Sequence, residues 1–463
     1  MGRRTFALGA AGVVALASCT PADAPRGANG TAPPIRSVAV DTSAGPLFRS
    51  LRVTADAPES VQVEYWTNGA PHLKVTAFDS GTGPAIYLPR LRPGATYSYE
   101  VRAIGTGGAL GAPYAGSLMT GALPAELAGY AFRVQGAATF PLAMVELYSP
   151  TYSAWVMVDS AGQVVWYRKA CDAQGFTRRA NGDFVMLDGC DQAGLYEVAP
   201  DGRVVDSLPN AYGMNHDVIT TAQNTLLFIG VEYQTVGDTA WKGDDIWEWS
   251  PETGTVVKRW DAFDFLSPAT DRGTASMPDD WLHANSLAIG PSGNVIVSFL
   301  NLGQVISLSP DFSAIAWRLG GPNSTLAADS DAEPYGQHTA AEISPGHILM
   351  FDNMTFDSLT ASHHSRGLEV VLDTVAHVAH KVWEFRQQPD AWTPILGSDR
   401  LLPNGDRVVS FGLSKGIVGS AGPIAAYEVT PAGAVIWRLE VDGPTVNYRT
   451  TPLESVGGEV RVQ

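Results

Sequence analysis

The sequence predicts an all-β protein: a six-bladed β-propeller behind an N-terminal β-sandwich. Its 48 glycines and 31 prolines, with only 17% charged residues, suit a turn-rich β chain and leave no extended helical faces. A strand–tight turn–strand unit recurs six times after about residue 128. A second hairpin falls between most copies, so each repeat supplies the four strands of a blade. At 463 residues the chain is also too long for one ordinary core.

The first residues, "MGRRTFALGAAGVVALASCT", join Arg3 and Arg4 to an apolar stretch too short to span a bilayer. Leu16-Ala17-Ser18-Cys19 resembles a bacterial lipobox, in which the cysteine is lipidated; an ordinary signal peptide is the alternative. Arg3-Arg4-Thr5-Phe6 resembles a twin-arginine export signal. The expectation is a signal peptide over 1–18 and lipidation at Cys19. A polar tether over 19–34 would then hold the protein in the cell envelope, touching membrane only through its lipid.

From Ile35 to about Gly121 the chain alternates as strands do, for example in "SVQVEYW" and "YSYEVRAIG". The segment "LRPGATYSYEVRA" (Leu91 to Ala103) resembles the tyrosine corner of fibronectin type III domains, which predicts a β-sandwich over 35–121.

The propeller is expected over 128–463. Its outer hairpins read "AWVMVDSAGQVVWYRK", "LYEVAPDGRVVDSLP", "IWEWSPETGTVVKRWD", "VISLSPDFSAIAWRLG", "LEVVLDTVAHVAHKVWEF" and "AAYEVTPAGAVIWRLE". Their starts lie 41 to 63 residues apart, too close for each to bury a core alone. The inner hairpins include "TTAQNTLLFIG", "AIGPSGNVIVSF" and "EISPGHILMFDN".

A net charge of −17 argues against nucleic acid or an anionic membrane surface as partner. No Walker loop, dinucleotide fingerprint, Gly-x-Ser-x-Gly elbow or zinc-type Cys/His spacing is present, so no cofactor is expected. Cys171 and Cys190 are either a disulfide of an oxidising compartment or two buried thiols.

Three of the nine histidines stand just ahead of inner hairpins: His216, His283 and His338. Equivalent positions in consecutive blades would bring them to one channel mouth. Three neutral imidazoles there could bind a transition metal. Alternatively, one attacks an electrophile while the others donate to developing negative charge. His363 and His364, in the insertion "TFDSLTASHHSRG", are candidates for a lid.

The segments "GQHTA" with "MFDN", "DWLHANS", "HDV" and "SRGLEVVLD" with "KVWEF" resemble the bacterial aryl-sulfate sulfotransferases, periplasmic enzymes independent of nucleotide sulfate. The resemblance implies a six-bladed propeller that passes a sulfuryl group from an aryl sulfate to a phenol. It makes His338 the nucleophile, forms a sulfohistidine, and gives His216 and His283 to the sulfuryl oxygens or proton transfer. Asn285 would support the site. One departure stands out: Leu300 and Asn301 occupy the place of the family's channel arginine, and a guanidinium's several donors have no equivalent in leucine. Arg366, His363 or His364 would have to supply the charge, with Asn301 as a polar substitute at the site. The alternative is a non-catalytic envelope propeller that binds a ligand or partner at its channel mouth.

Overall fold

The computed structural model describes residues 31–462 apart from 57, 79–84, 150, 191–193, 356–363, 414–422 and 444. Cys19 and His363, and with them the proposed leader and most of the proposed lid, lie outside the described residues.

Among the described residues, six sheets of four or five strands, antiparallel but for the short Ala327–Ala328 pairing, follow one another between Ala131 and Leu453. Each sheet touches the next, and the sixth touches the first, so the sheets close a ring. Five of them are built in chain order from an inner and an outer hairpin. The first borrows its innermost strand, Val446–Leu453, from the far end of the chain, paired with Leu142–Tyr148. The sixth takes its outermost strand, Ala131–Gly136, from the near end. These two exchanges zip the ring shut without leaving the joined edges open.

Local chemistry explains each hairpin. In the first sheet the strand Ser153–Asp159 is buried throughout, which accounts for its unbroken apolar run "AWVMV". It ends at Asp159, whose Oδ1 accepts the backbone N–H groups of Ala161 and Gln163 at 2.9 and 3.0 Å, an Asx-type turn. Gly162 completes that turn at φ +76°. A Cβ there would meet the carbonyl oxygen of Phe132 at 2.4 Å, so only glycine fits.

Residues 35–119 form two further sheets around one core that includes Leu51, Val63, Tyr65 and Tyr97. The Tyr97 hydroxyl accepts the backbone N–H of Arg92 at 2.9 Å. Arg92 also binds Asp159 of the ring through Nε at 2.8 Å and Nη2 at 2.6 Å. Phe48 packs beside Trp166. The short strand Val460–Arg461 pairs with Leu73–Phe78, so the last residues return to the N-terminal sheets. A boundary that assigns everything to 463 to the ring therefore needs correction: the chain end serves as a strap between the two parts.

Candidate functional site

The innermost strands carry a repeated irregularity. Register shifts occur between Gln174 and Phe176, Ala284 and Ser286, His338 and Ala341, and Asn447 and Thr450, with one extra residue on the inner strand, and between Asn215 and Val218, with two. A β-bulge frees its residue from the ladder and re-aims it. Five of the six innermost strands are therefore interrupted, and His216, Asp217, Asn285, Thr339 and Arg449 fall within four of these interruptions. His216, His283 and Thr339 hold φ near +60°, +54° and +52°, a conformation that costs of order 1–3 kcal/mol for a non-glycine residue and collects at functional sites.

His216, His283 and His338 line one cavity of about 430 Å³. The rings of His216 and His283 lie 4.7 Å apart, nearly perpendicular. The three imidazoles do not bring three ligand atoms within 4.8 Å of one another.

Each ring is anchored through Nδ1. His338 Nδ1 lies 2.7 Å from Asn353 Oδ1. The Asn353 amide donates in turn to the carbonyls of Thr393 and Leu396 at 2.6 and 2.8 Å. That double bond to carbonyls fixes which end of the amide faces the histidine, so Oδ1 accepts and Nδ1 carries the hydrogen. His216 follows the same rule: Nδ1 meets Asn215 Oδ1 at 2.6 Å while Asn215 Nδ2 donates to Gly213. His283 Nδ1 is 2.7 Å from Asp280 Oδ2. The three Nε2 atoms take no part in these anchors.

Burial pushes the His338 imidazole down to about 3, with the charges of His283 and Arg449 adding to the effect and the Asn353 bond opposing it. His216 is pushed well down as well, first by burial and then by His283, His338 and Arg449. His338 is therefore neutral near pH 7, with its lone pair on Nε2. That atom accepts a 3.3 Å hydrogen bond from the backbone N–H of Leu396, itself held at φ +66°.

Burial works upward on Asp280, but the hydrogen bond and charge of His283, together with Lys242 and Asn301, hold it below the usual carboxylate range. Asn301 donates to the Asp280 carbonyl at 2.6 Å and so reaches the site through Asp280, outside the cavity lining. Asn285 lies behind the histidines, donating to the Gln337 carbonyl at 2.8 Å. Its Oδ1 is buried without a hydrogen-bond partner. Leu300 is buried in the turn after Phe299.

Arg366 belongs elsewhere. Its guanidinium is committed to Asp352, Glu384 and the carbonyls of Asp331 and Glu333, a complete set for a buried cation. The expectation that it serves the cavity is corrected on that ground. A buried guanidinium whose charge does reach His216 and His338 is Arg449, on the ring-closing strand, 1% exposed in its side chain. It donates to Asp217 Oδ1 at 2.5 Å and the Asn285 carbonyl at 2.6 Å, tying together the strands that carry His216 and His283. Sequence reasoning missed it. The available signal was the likeness of "VNYRTT" to "MNHDVIT", which places Tyr448 and Arg449 at the bulge positions of His216 and Asp217.

Gln174 also went unnoticed. Its Oε1 accepts the backbone N–H of His216 at 2.5 Å. Beside it, Cys171 and Cys190 are disulfide-bonded and hold the neighbouring stretch against Asp188, whose carboxylate accepts the backbone N–H groups of Cys171 and Asp172.

The family model described as Arylsulfotransferase (ASST) matches residues 141–428, which include all three histidines and their Nδ1 partners. The chain belongs to the arylsulfotransferase family. No curated protein matches it. Among solved structures, this arylsulfotransferase family member is similar to a Lactobacillus plantarum protein at 11% identity, covering 66% of this chain and 83% of the other, with a TM-score of 0.36. A streptogramin B lyase is 11% identical over 84% of this chain and all of its own, with a TM-score of 0.34. Apo AztD from Citrobacter koseri is 9% identical over 85% and 98%, with a TM-score of 0.32. Likenesses this low decide nothing about the site.

Proposed function

We propose that this arylsulfotransferase family member transfers sulfuryl groups between phenols through His338, in a six-bladed propeller preceded by a fibronectin-III-like sandwich. The observation that carries the reading is the Asn353–His338 pair: a neutral imidazole with its hydrogen fixed on Nδ1 and its lone pair on Nε2, where the Leu396 N–H meets it at 3.3 Å. Such a ring is a competent nucleophile near neutral pH.

Nε2 of His338 attacks the sulfur of an aryl sulfate; the N–S bond forms and the S–O(aryl) bond breaks. The departing phenolate takes its proton from His283, whose imidazolium is stabilised through Nδ1 by the Asp280 carboxylate. The sulfuryl group then rests on His338, with Nδ1–H still bonded to Asn353. A second phenol gives its proton to His283 as its oxygen attacks sulfur and the N–S bond breaks. The Leu396 N–H, released from Nε2 as the lone pair is used, is placed to donate to a sulfuryl oxygen. Tyr148, Tyr448, Ile395 and Leu396 line the cavity and suit an aromatic ring. Aryl sulfate and phenol are accordingly the proposed substrates, with no cofactor required.

One observation favours the alternative of a binding propeller without turnover: among the described residues, no lysine or arginine lines the cavity. Incubation with 4-nitrophenyl sulfate and phenol, followed by mass spectrometry of the His338 peptide, separates the two. Sulfuryl transfer predicts nitrophenol release and a sulfated His338 peptide, both lost in His338→Ala. Release that persists unchanged in His338→Ala removes the nucleophile assignment. No turnover and no adduct favours binding alone.

The proposed setting is the cell envelope, after export and lipidation at Cys19. The Cys171–Cys190 disulfide supports an oxidising compartment. Metabolic labelling with a fatty-acid analogue tests the anchor; label retained in Cys19→Ala excludes it.

A further inference from the structure

Among the described residues the cavity lining holds one carboxylate, and the transfer chemistry above does not use it. Asp172 lines the wall formed with Ala173 and Gln174. Asp172 Oδ2 accepts the Gln174 amide at 2.8 Å. The same Gln174 is held at its other end by the His216 N–H, so its amine is fixed toward Asp172. From below, the Asp172 backbone N–H is tied to Asp188 at 2.8 Å, next to the disulfide. The carboxylate is thus oriented before anything binds.

No lysine, arginine or histidine lies within ion-pair distance of Asp172 among the described residues, although twenty-eight such pairs occur elsewhere. Gln174 supplies its one side-chain donor. Burial, with the Asp188 charge behind it, pushes the Asp172 carboxyl upward against that bond. An oriented carboxylate lacking a cation, inside a site that handles an anionic sulfuryl group, needs a reason. A cation brought by the ligand supplies one. The walls fit it: Tyr148 and Tyr448 line the same cavity, and aromatic faces attract ammonium groups. A volume of about 430 Å³ admits one substituted ring and little more. The chain's net charge of −17 favours the approach of a cation over that of an anion.

We propose that Asp172 selects a phenolic amine as acceptor, with the ammonium against the Asp172 carboxylate and a tyrosine face while the phenol oxygen points to His338. The acceptor class rests on the transfer reading; the recognition of a cationic aromatic molecule by Asp172 does not. A protonated amine at one end and a nucleophilic phenol at the other would set the ring's direction in the cavity. The carboxylate would correspondingly disfavour phenols that carry an acid on the opposite end.

Calorimetric titration of the disulfide-intact full chain tests this without requiring turnover. The probes are 4-(2-aminoethyl)phenol, 4-ethylphenol and 3-(4-hydroxyphenyl)propanoate at pH 7. The amine is expected to bind about tenfold more tightly than the neutral phenol, the typical effect of one charge-assisted contact, and the acid more weakly than both. In Asp172→Asn the amine and the neutral phenol should bind equally, and in the unaltered protein added salt should narrow their difference. Equal affinities in the unaltered protein, or an amine preference that survives in Asp172→Asn, overturns the proposal. The wild-type comparison stands even if the variant folds poorly. If the preference holds while no aryl sulfate is turned over, the transfer reading fails and the recognition of aromatic amines remains.

Discussion

Asn353 Oδ1 sits 2.7 Å from His338 Nδ1, and both Asn353 amide hydrogens are occupied by the carbonyls of Thr393 and Leu396. The amide cannot turn round, so it decides which nitrogen of the imidazole is free. Control of nucleophilicity at His338 therefore lies in a side chain just past the end of the neighbouring strand, His347–Asp352.

Replacing Asn353 separates orientation from charge. Asn353→Leu removes the acceptor and should lower kcat by about 10² at every pH, the scale of losing an orienting partner. Asn353→Asp keeps the acceptor but adds negative charge, which favours the imidazolium and raises the His338 pKa from about 3. Its pH–rate profile should show an acid limb displaced upward and recover toward wild type at higher pH. Identical profiles for the two variants would reject this role.

Asp280 is expected to matter according to the leaving group. Asp280→Asn removes the carboxylate whose Oδ2 lies 2.7 Å from His283 Nδ1. General acid–base catalysis typically contributes 10²–10⁴, so transfer from an aryl sulfate with a basic leaving phenol should fall by about that factor. Transfer from 4-nitrophenyl sulfate, whose phenolate leaves unaided, should fall much less. A loss independent of leaving-group pKa would show that Asp280 acts on folding or binding alone.

Glu146 predicts a stability change with pH. Both of its carboxylate oxygens are buried without hydrogen-bond partners. Burial pushes the carboxyl up to about 8, with Asp217 adding to the shift and Arg449 and Arg400 opposing it. Between its ordinary value near 4.5 and 8, the folded protein keeps a proton that the unfolded chain has released. Stability from this group is thus complete below about pH 4.5 and lost as pH rises through 8. In Glu146→Gln the decline of Tm across pH 5–8 should flatten; an unchanged slope would assign the decline to other groups.

Arg449 and Asp217 should behave as a unit. Arg449→Met alone leaves Asp217 buried beside a vacant partner, a change that costs about 3–5 kcal/mol. The double variant Arg449→Met with Asp217→Asn should recover a large part of that loss. Urea unfolding of the single and double variants checks this, and strict additivity of the two changes would show the pair to be uncoupled.

The fold was legible where the chain repeats itself. The six outer hairpins were visible because each joins an apolar strand to a tight turn, as at Asp159 and Gly162. The inner hairpins were visible for the same reason. The innermost strand of the first sheet was not: "VNYRTTPL" has no hairpin partner nearby, and its pairing with Leu142–Tyr148 spans almost the whole ring. Arg449 was hidden with it. His216, His283 and His338 stood out by their places ahead of inner hairpins, whereas Asn353 gained its meaning from the pairing that lays His338 against Phe351 and brings the strand's end back to the ring.

The sequence by itself determined the local periodicities: alternating strands, glycine turns, and polar entries bearing histidines at matching places in the repeats. Those depend on residues a few positions apart. The tertiary structure alone decided the chemistry of the entries. Bulges interrupt five inner strands beside the cavity that the three histidines line, and ring closure ties Arg449 to Asp217 and the Asn285 carbonyl, neighbours of two of them. It also confined Arg366 to its own carboxylates. Burial and hydrogen-bond geometry are sums over distant segments of chain, so the neutral imidazole of His338 and the unpaired carboxylate of Asp172 emerge only when the ring has closed around them.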